Sequence, residues 1–263
     1  VTGAASGIGK AIAELLFKSG AKVTGFDKNK ALFLEQATQI DVQICDVTDS
    51  DKIKEVVDYV LSKHGKIDYI FNNAGMVVVG EERDVSITDW QEVLNTNLNG
   101  VVNGIKAVYP IMVKQRFGHI VNISSLAGVL PVTIENSYVA TKYAVVGLSH
   151  ALRMEGKGLG VKVSVVCPGA VDTPIFLNSK VVGSQATKPI EFIKALPFFP
   201  KLISPEQAAK KILQGVKSNK ATIFTDHVSK LGWWFYRLFP NLWMWGYEAY
   251  VMKRFRAMRS KTK

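Results

Sequence analysis

Short Val- and Ile-rich runs alternating with segments of helical periodicity constrain this chain of 263 residues more than any other feature. The runs lie at residues 22–26, 40–44, 67–71, 119–123, 162–166 and 222–224, and the helical patterns at 8–19, 50–64, 87–114, 137–157 and 205–218. The runs are nearly continuous in apolar residues, as strands covered on both faces read. Such strands, separated by helices, pair in parallel through right-handed crossovers. The expected fold is therefore an α/β, doubly wound parallel sheet, one domain over residues 1–225. Ligands bind such sheets beyond the carboxyl ends of the strands, so chemistry is expected where strands run into loops.

Composition narrows the setting. Hydrophobic residues make up 48% and charged residues 21%, which suits a large core and excludes disorder. No apolar run approaches the length of a spanning helix. Two cysteines, Cys45 and Cys167, build neither a disulfide framework nor a zinc site, so a reducing, cytoplasmic location is expected. His64, His119, His150 and His227 show no metal-ligand spacing, and no metal is expected. Val1 stands directly before a glycine-rich turn, where a strand normally leads in, so an upstream stretch is expected, with any signal or anchor on it.

That turn, residues 2–9, reads Thr-Gly-Ala-Ala-Ser-Gly-Ile-Gly. Gly3, Gly7 and Gly9 permit positive φ and let a backbone approach a pyrophosphate, while the helix beginning at Ile8 offers free N–H groups and positive dipole. Asp27 ends the next strand, at the distance expected of an acid that bonds the adenosine ribose of NAD. Its charge would repel the 2′-phosphate of NADP, an inference that Lys28 and Lys30 weaken. The bland alternative for Asp27 is a solvated turn residue.

With these features the chain resembles the short-chain dehydrogenase/reductases. The spacing Gly-x3-Gly-x-Gly is theirs, as are Asn72-Asn73-Ala74-Gly75 after one strand and Pro168-Gly169-Ala170-Val171-Asp172-Thr173 after another. The similarity runs to about residue 224 and implies a Rossmann-like fold with bound NAD, NADP being second choice. It implies further that Gly3, Ser6, Gly7, Ile8 and Gly9 cradle the phosphates, that Asp46 and Val47 meet the adenine, and that Asn73, Ala74 and Gly75 form a floor. Pro168, Gly169, Val171 and Thr173 would lie along the nicotinamide.

Tyr138 and Lys142 stand four apart, on one face of a helix. A fixed cation beside a phenol stabilises phenolate and lowers a pKa that is otherwise near 10, which suits general acid–base work. Ser125, at a strand's carboxyl edge, can donate to a substrate oxygen as charge grows on it. The resemblance selects Ser125 over Ser124. It also assigns Asn97 to a water relay behind the lysine, Tyr138 and Lys142 to the cofactor ribose as well as the reaction, and a homodimer or homotetramer to the assembly. The expected activity is hydride transfer between NAD(H) and a hydrophobic secondary alcohol or ketone, such as a steroid, retinoid or other lipid-like molecule. The alternatives are an NADP-dependent reductase of a small polar carbonyl and a non-enzymatic binding protein.

Two segments fall outside this pattern. Residues 175–203 carry Pro189, Pro197, Pro200 and the apolar side chains Phe176, Leu177, Phe192, Ile193, Phe198 and Phe199, and are expected to form a substrate lid, or else a packed surface loop. The other is the extension, residues 226–263. Residues 201–263 hold 13 Lys and Arg against three acids, so nearly the whole net charge of +11 resides there. From Trp233 to Tyr250, nine of eighteen residues are aromatic. Two helical stripes fit, Val228, Leu231, Phe235 and Leu238 before Pro240, then Met244, Tyr247, Val251, Phe255 and Met258. Aromatics beside cations suit a membrane surface, but packing on the body gives the same pattern; nucleic acid is the weakest reading, and no nucleic-acid partner is expected.

Overall fold

A computed structural model describes residues 1–29, 40–183 and 202–253. In chain order the elements are α1 (Gly7–Lys18), β1 (Thr24–Asp27), β2 (Asp41–Ile44), α2 (Ser50–His64), β3 (Tyr69–Asn72), β4 (Val78–Val79), α3 (Ile87–Leu94), α4 (Gly100–Gln115) and β5 (Gly118–Ile123). There follow α5 (Asn136–Gly156), β6 (Val161–Cys167), α6 (Pro174–Leu177), β7 (Lys180–Val181), α7 (Pro205–Lys217), β8 (Thr222–Phe224), α8 (His227–Leu238) and α9 (Pro240–Tyr247).

All strand pairs are parallel. β2 pairs with β1, and β3, β5, β6 and β8 lie side by side. Val1 and Thr2 join the two groups: Phe26 N–H donates to Val1 C=O at 2.9 Å, and Thr2 N–H donates to Phe71 C=O at 3.0 Å. The order therefore runs outward in one direction from Thr2 through β1 to β2, and in the other from β3 to β8. A crevice opens where the order reverses, at the carboxyl ends of the strands.

Alternating residues of the strands feed two separate cores. Ile120, Val163 and Val165 pack with Ile53, Met112 and Val145 from α2, α4 and α5. Val121, Val166 and Phe71 pack on the other face with Ile12 of α1 and Ile212 of α7. Each fully buried side chain of this kind contributes roughly 1.5–3 kcal/mol, so burial on both faces fixes the register. The doubly wound reading is borne out, with strand ends displaced by a residue or two from expectation.

Three details were not legible. The helix expected over residues 87–114 is interrupted by a π-helical turn, Asn95–Asn99. β4 and β7 form a small parallel pair that ties the loop after β3 to the chain beyond β6. The described parts of the expected lid are α6, β7 and Ile203, which bridges to Val171. Phe192, Ile193, Phe198, Phe199 and the prolines Pro189, Pro197 and Pro200 lie outside the described residues, as does the side chain of Phe176.

The extension begins as two helices divided at Pro240, the first residue of α9. Their inner face is seated on the body: Trp233 lies 5.4 Å from the Phe224 ring, Tyr236 stands beside Tyr143, and Tyr247 beside Thr133. The stripe Val228, Leu231, Phe235 and Leu238 faces the opposite way and is exposed. Phe255 and Met258 lie outside the described residues.

Candidate active site

The crevice is a cleft of about 330 Å³. One wall is the glycine turn, with Gly3 at φ +63° and Gly7 at φ +54°. A Cβ at Gly3 would come within 2.9 Å of Ala74 Cα, and one at Gly7 within 3.2 Å of Thr173 Cγ2. Side chains at either position would fill the hollow in front of the α1 N-terminus, where backbone N–H groups and helix dipole favour an anion. Asp27 closes the far end. Its carboxylate accepts from Ala5 N–H at 3.3 Å and Asn29 N–H at 3.0 Å, which fixes it facing the turn.

Gly3, Ser6, Gly7, Ile8, Asp27, Asp46, Val47, Asn73, Ala74, Gly75, Pro168, Gly169, Val171 and Thr173 all line this cleft, as do Ser125, Tyr138 and Lys142. Gly9 does not. A Cβ there would lie 2.2 Å from Gly3 O and 2.4 Å from Asn73 Nδ2, so Gly9 lets α1 pack beneath the turn. Its assignment as a phosphate contact is corrected to a packing role. Asn73 lines the floor, but its side chain is a strut: Nδ2 donates to the carbonyls of Thr2 at 3.0 Å and Gly3 at 3.3 Å.

The reacting groups converge from two elements. Ser125 follows β5 and Tyr138 and Lys142 stand on the first turns of α5. Lys142 Nζ lies 5.4 Å from the centre of the Tyr138 ring and donates to Ile123 C=O at 3.0 Å. Ser125 Oγ accepts from Ala127 N–H at 3.1 Å and lines the cleft beside Tyr138. Ser124 also lines the cleft, but its hydroxyl donates to Lys142 C=O at 2.8 Å. The neighbouring hydroxyls thus have different tasks, Ser124 holding α5 against β5.

Charge behaves differently from the simple cation–phenol picture. Burial pushes the Tyr138 phenol well up, the Ser125 hydroxyl opposes that, and the Glu135 carboxylate adds to it. Burial lowers the Lys142 amine to about 8. Desolvation is the largest influence on the phenol, and Lys142 bonds a backbone carbonyl. Glu135, three residues before Tyr138, is itself buried and pushed up to about 7.

Asn97 lies outside the cleft, fully buried in the π turn. Its Oδ1 accepts from Met76 N–H at 2.8 Å and its Nδ2 donates to Met76 C=O at 2.9 Å and Thr141 Oγ1 at 3.3 Å. It clamps the loop after β3 to α5. A Cβ at Gly75 would come 3.3 Å from Asn97 Oδ1 and 3.6 Å from Lys142 Nζ, so the missing side chain leaves a gap between them.

Several contributors escaped sequence reasoning. Thr2 Oγ1 accepts from both Asn73 N–H and Ala74 N–H at 2.8 Å, joining the turn to the floor. Its only signal was its place before Gly3. Lys28, Cys45, Met76 and Thr96 also line the cleft. Among the described residues, no three His, Cys, Asp or Glu side chains form a metal-sized group.

A family model described as short chain dehydrogenase matches residues 1–181. The chain belongs to the short chain dehydrogenase family. Relatives of this short chain dehydrogenase include the 3-oxoacyl-(acyl-carrier-protein) reductase FabG of Thermotoga maritima, 39% identical over 182 residues, covering 66% of this chain and 74% of that protein. The 3-ketodihydrosphingosine reductase of Bacteroides thetaiotaomicron is 35% identical over 204 residues, covering 76% of this chain and 75% of that protein. Among solved structures, a short chain dehydrogenase/reductase from Burkholderia phymatum in complex with NAD has TM-score 0.80 and 25% identity, covering 92% of this chain and 93% of that one. The aldohexose dehydrogenase of Thermoplasma acidophilum, ligand-free, has TM-score 0.75 and 27% identity, covering 88% and 92%. The chain is thereby an oxidoreductase of the NAD(P)-dependent kind.

Proposed function

We propose that this chain transfers a hydride between NAD(H) and a hydrophobic secondary alcohol or ketone, with Tyr138 as the acid–base group. The observation that carries this reading is the convergence of Ser125, Tyr138 and the Lys142 amine at the edge of a cleft walled by a glycine turn. The dinucleotide, when bound, supplies the hydride donor or acceptor. Gly3, Ser6, Gly7 and Ile8 would hold its pyrophosphate, Asp27 its adenosine ribose, and Val171 and Thr173 its nicotinamide end.

The chain's own residues handle the proton. The phenol, raised by burial, is protonated at neutral pH and so donates from Oη to an oxygen gaining negative charge. In the oxidative direction Oη must first give up its proton, and the phenolate so formed accepts the hydroxyl proton. Ser125 Oγ steers that oxygen, and Lys142 Nζ, 5.4 Å from the ring centre, offsets negative charge on Tyr138 as the proton leaves.

Asp27 supports NAD over NADP; Lys28, also lining the cleft, favours the second reading. The relatives named for 3-oxoacyl and 3-ketodihydrosphingosine substrates support a lipid-like carbonyl, and the aldohexose dehydrogenase keeps a polar substrate as the alternative. A panel of lipid-like and sugar-like ketones, followed by NADH and NADPH absorbance, separates these. Tyr138→Phe is expected to lower turnover at least about a hundredfold while NADH binding by fluorescence changes little. Residual activity within about tenfold of wild type overturns the assignment.

A further inference from the structure

Ten of the twenty exposed large hydrophobic side chains among the described residues fall within residues 228–250, so half of the uncovered apolar bulk is concentrated on α8, α9 and the turn after them. On α8, Val228 (56% exposed), Leu231 (67%), Phe235 and Leu238 (64%) repeat at helical spacing and form one stripe. Leu242 and Trp245 (70%) add to it on α9. This face is outward by construction, because the opposite sides of the same helices are held by Phe224, Tyr143 and Thr133. Contiguous apolar surface of this kind, rimmed by polar residues, marks a site that something covers.

The rim identifies the occupant. Lys230, Arg237 and Lys253 are exposed beside the stripe, and Arg237 lies 5.6 Å from the Trp233 ring. In sequence, residues 227–263 carry eight Lys and Arg and one acid, Glu248. A second copy of the chain seated on this face would bring Lys230, Arg237 and Lys253 toward their own counterparts, a repulsive arrangement for a self-complementary contact. An anionic lipid surface instead complements them, and it takes up Trp and Tyr at headgroup depth. α8 has 12 residues and α9 has eight, and among the described residues no helix is long and apolar enough to cross a membrane. A helix of that length with one apolar face lies in the plane of the interface.

We infer that the outer face of α8 and α9 docks the protein on anionic lipid. The inference stands on this surface alone and does not depend on the chemistry in the cleft. The test is flotation of the full chain with phosphatidylcholine vesicles, with and without phosphatidylglycerol, at low and high salt. The expected result is flotation with the anionic vesicles at low salt, reduced about tenfold or more by high salt. Leu231→Glu combined with Trp245→Glu is expected to lose flotation by a similar factor while NADH binding and the mass of the assembly in solution are unchanged. Brominated lipid should quench wild-type tryptophan fluorescence, a readout that survives if the variant fails to fold. Wild-type protein that neither floats nor is quenched overturns the inference. So does a wild-type dimer that the double variant dissolves, which assigns the face to a second copy.

Discussion

Thr2→Val isolates the joint between the two walls of the cleft. Thr2 is 2% exposed, and its hydroxyl oxygen accepts two backbone N–H groups, those of Asn73 and Ala74, each at 2.8 Å. Valine has nearly the same shape, so packing is conserved while the acceptor is lost. Two N–H groups are then left facing a methyl. Each orphaned donor costs about 1–2 kcal/mol, giving roughly 2–4 kcal/mol in all. For a chain of this size that lowers the midpoint of thermal unfolding by roughly 5–15 °C. The floor from Asn73 to Gly75 also loses two of its ties to the turn, keeping those of Asn73 Nδ2 to the Thr2 and Gly3 carbonyls, so NADH affinity should fall with stability. The assay is urea unfolding alongside fluorescence titration of NADH, with Thr2→Ser as the control that keeps the oxygen. A Thr2→Val protein within about 0.5 kcal/mol of wild type, binding NADH equally well, would refute the strut.

Three further outcomes are expected. Asp27→Asn should shift preference toward NADP by about tenfold to a hundredfold, since a unit charge some 5 Å from a phosphate is worth about 3 kcal/mol at partial exposure; an unchanged ratio of NADP to NAD turnover removes Asp27 from cofactor choice. Gly9→Ala pushes a methyl onto the Gly3 carbonyl and should destabilise the chain by about 1–3 kcal/mol and weaken NADH binding at least about tenfold; calorimetry showing neither effect rejects the packing role. Glu135 is pushed by burial from its ordinary 4.5 to about 7, so the folded state holds this proton more tightly than the unfolded one. The associated stability is complete below about pH 4.5 and is lost as pH rises through about 7, a change on the order of 3 kcal/mol. Glu135→Gln should therefore flatten the stability profile over that range, and denaturant curves at acid and mildly alkaline pH that keep the wild-type slope contradict it.

Much of the site was readable because each motif is local and each lies where a strand ends. Gly3, Asp27, Asn73 and the run from Pro168 to Thr173 belong to four separate segments, yet the strand–helix alternation alone predicts that all four meet at one edge of the sheet. Ser125, Tyr138 and Lys142 are brought to the same edge. The pairing of Tyr138 with Lys142 follows from helical spacing, which sequence shows directly. Their electrostatics does not follow, because desolvation depends on what surrounds a group in three dimensions. The same limit applies to Gly9, whose role as a packing glycine is set by Gly3 and Asn73 pressed against it.

The amino-acid sequence by itself determined the alternation of strands and helices, the apolar faces that make the sheet two-sided, and the residues at its carboxyl edge. These are periodic or local properties, encoded by neighbours in the chain. Only the tertiary structure decided that Asn97 clamps Met76 from within a π turn, that Thr2 binds the floor to the glycine turn, and that the α8 stripe looks outward. An amphipathic pattern states that one face of a helix needs cover; which face meets the body depends on contacts with residues such as Phe224, Tyr143 and Thr133, distant in the chain, and no local periodicity encodes them.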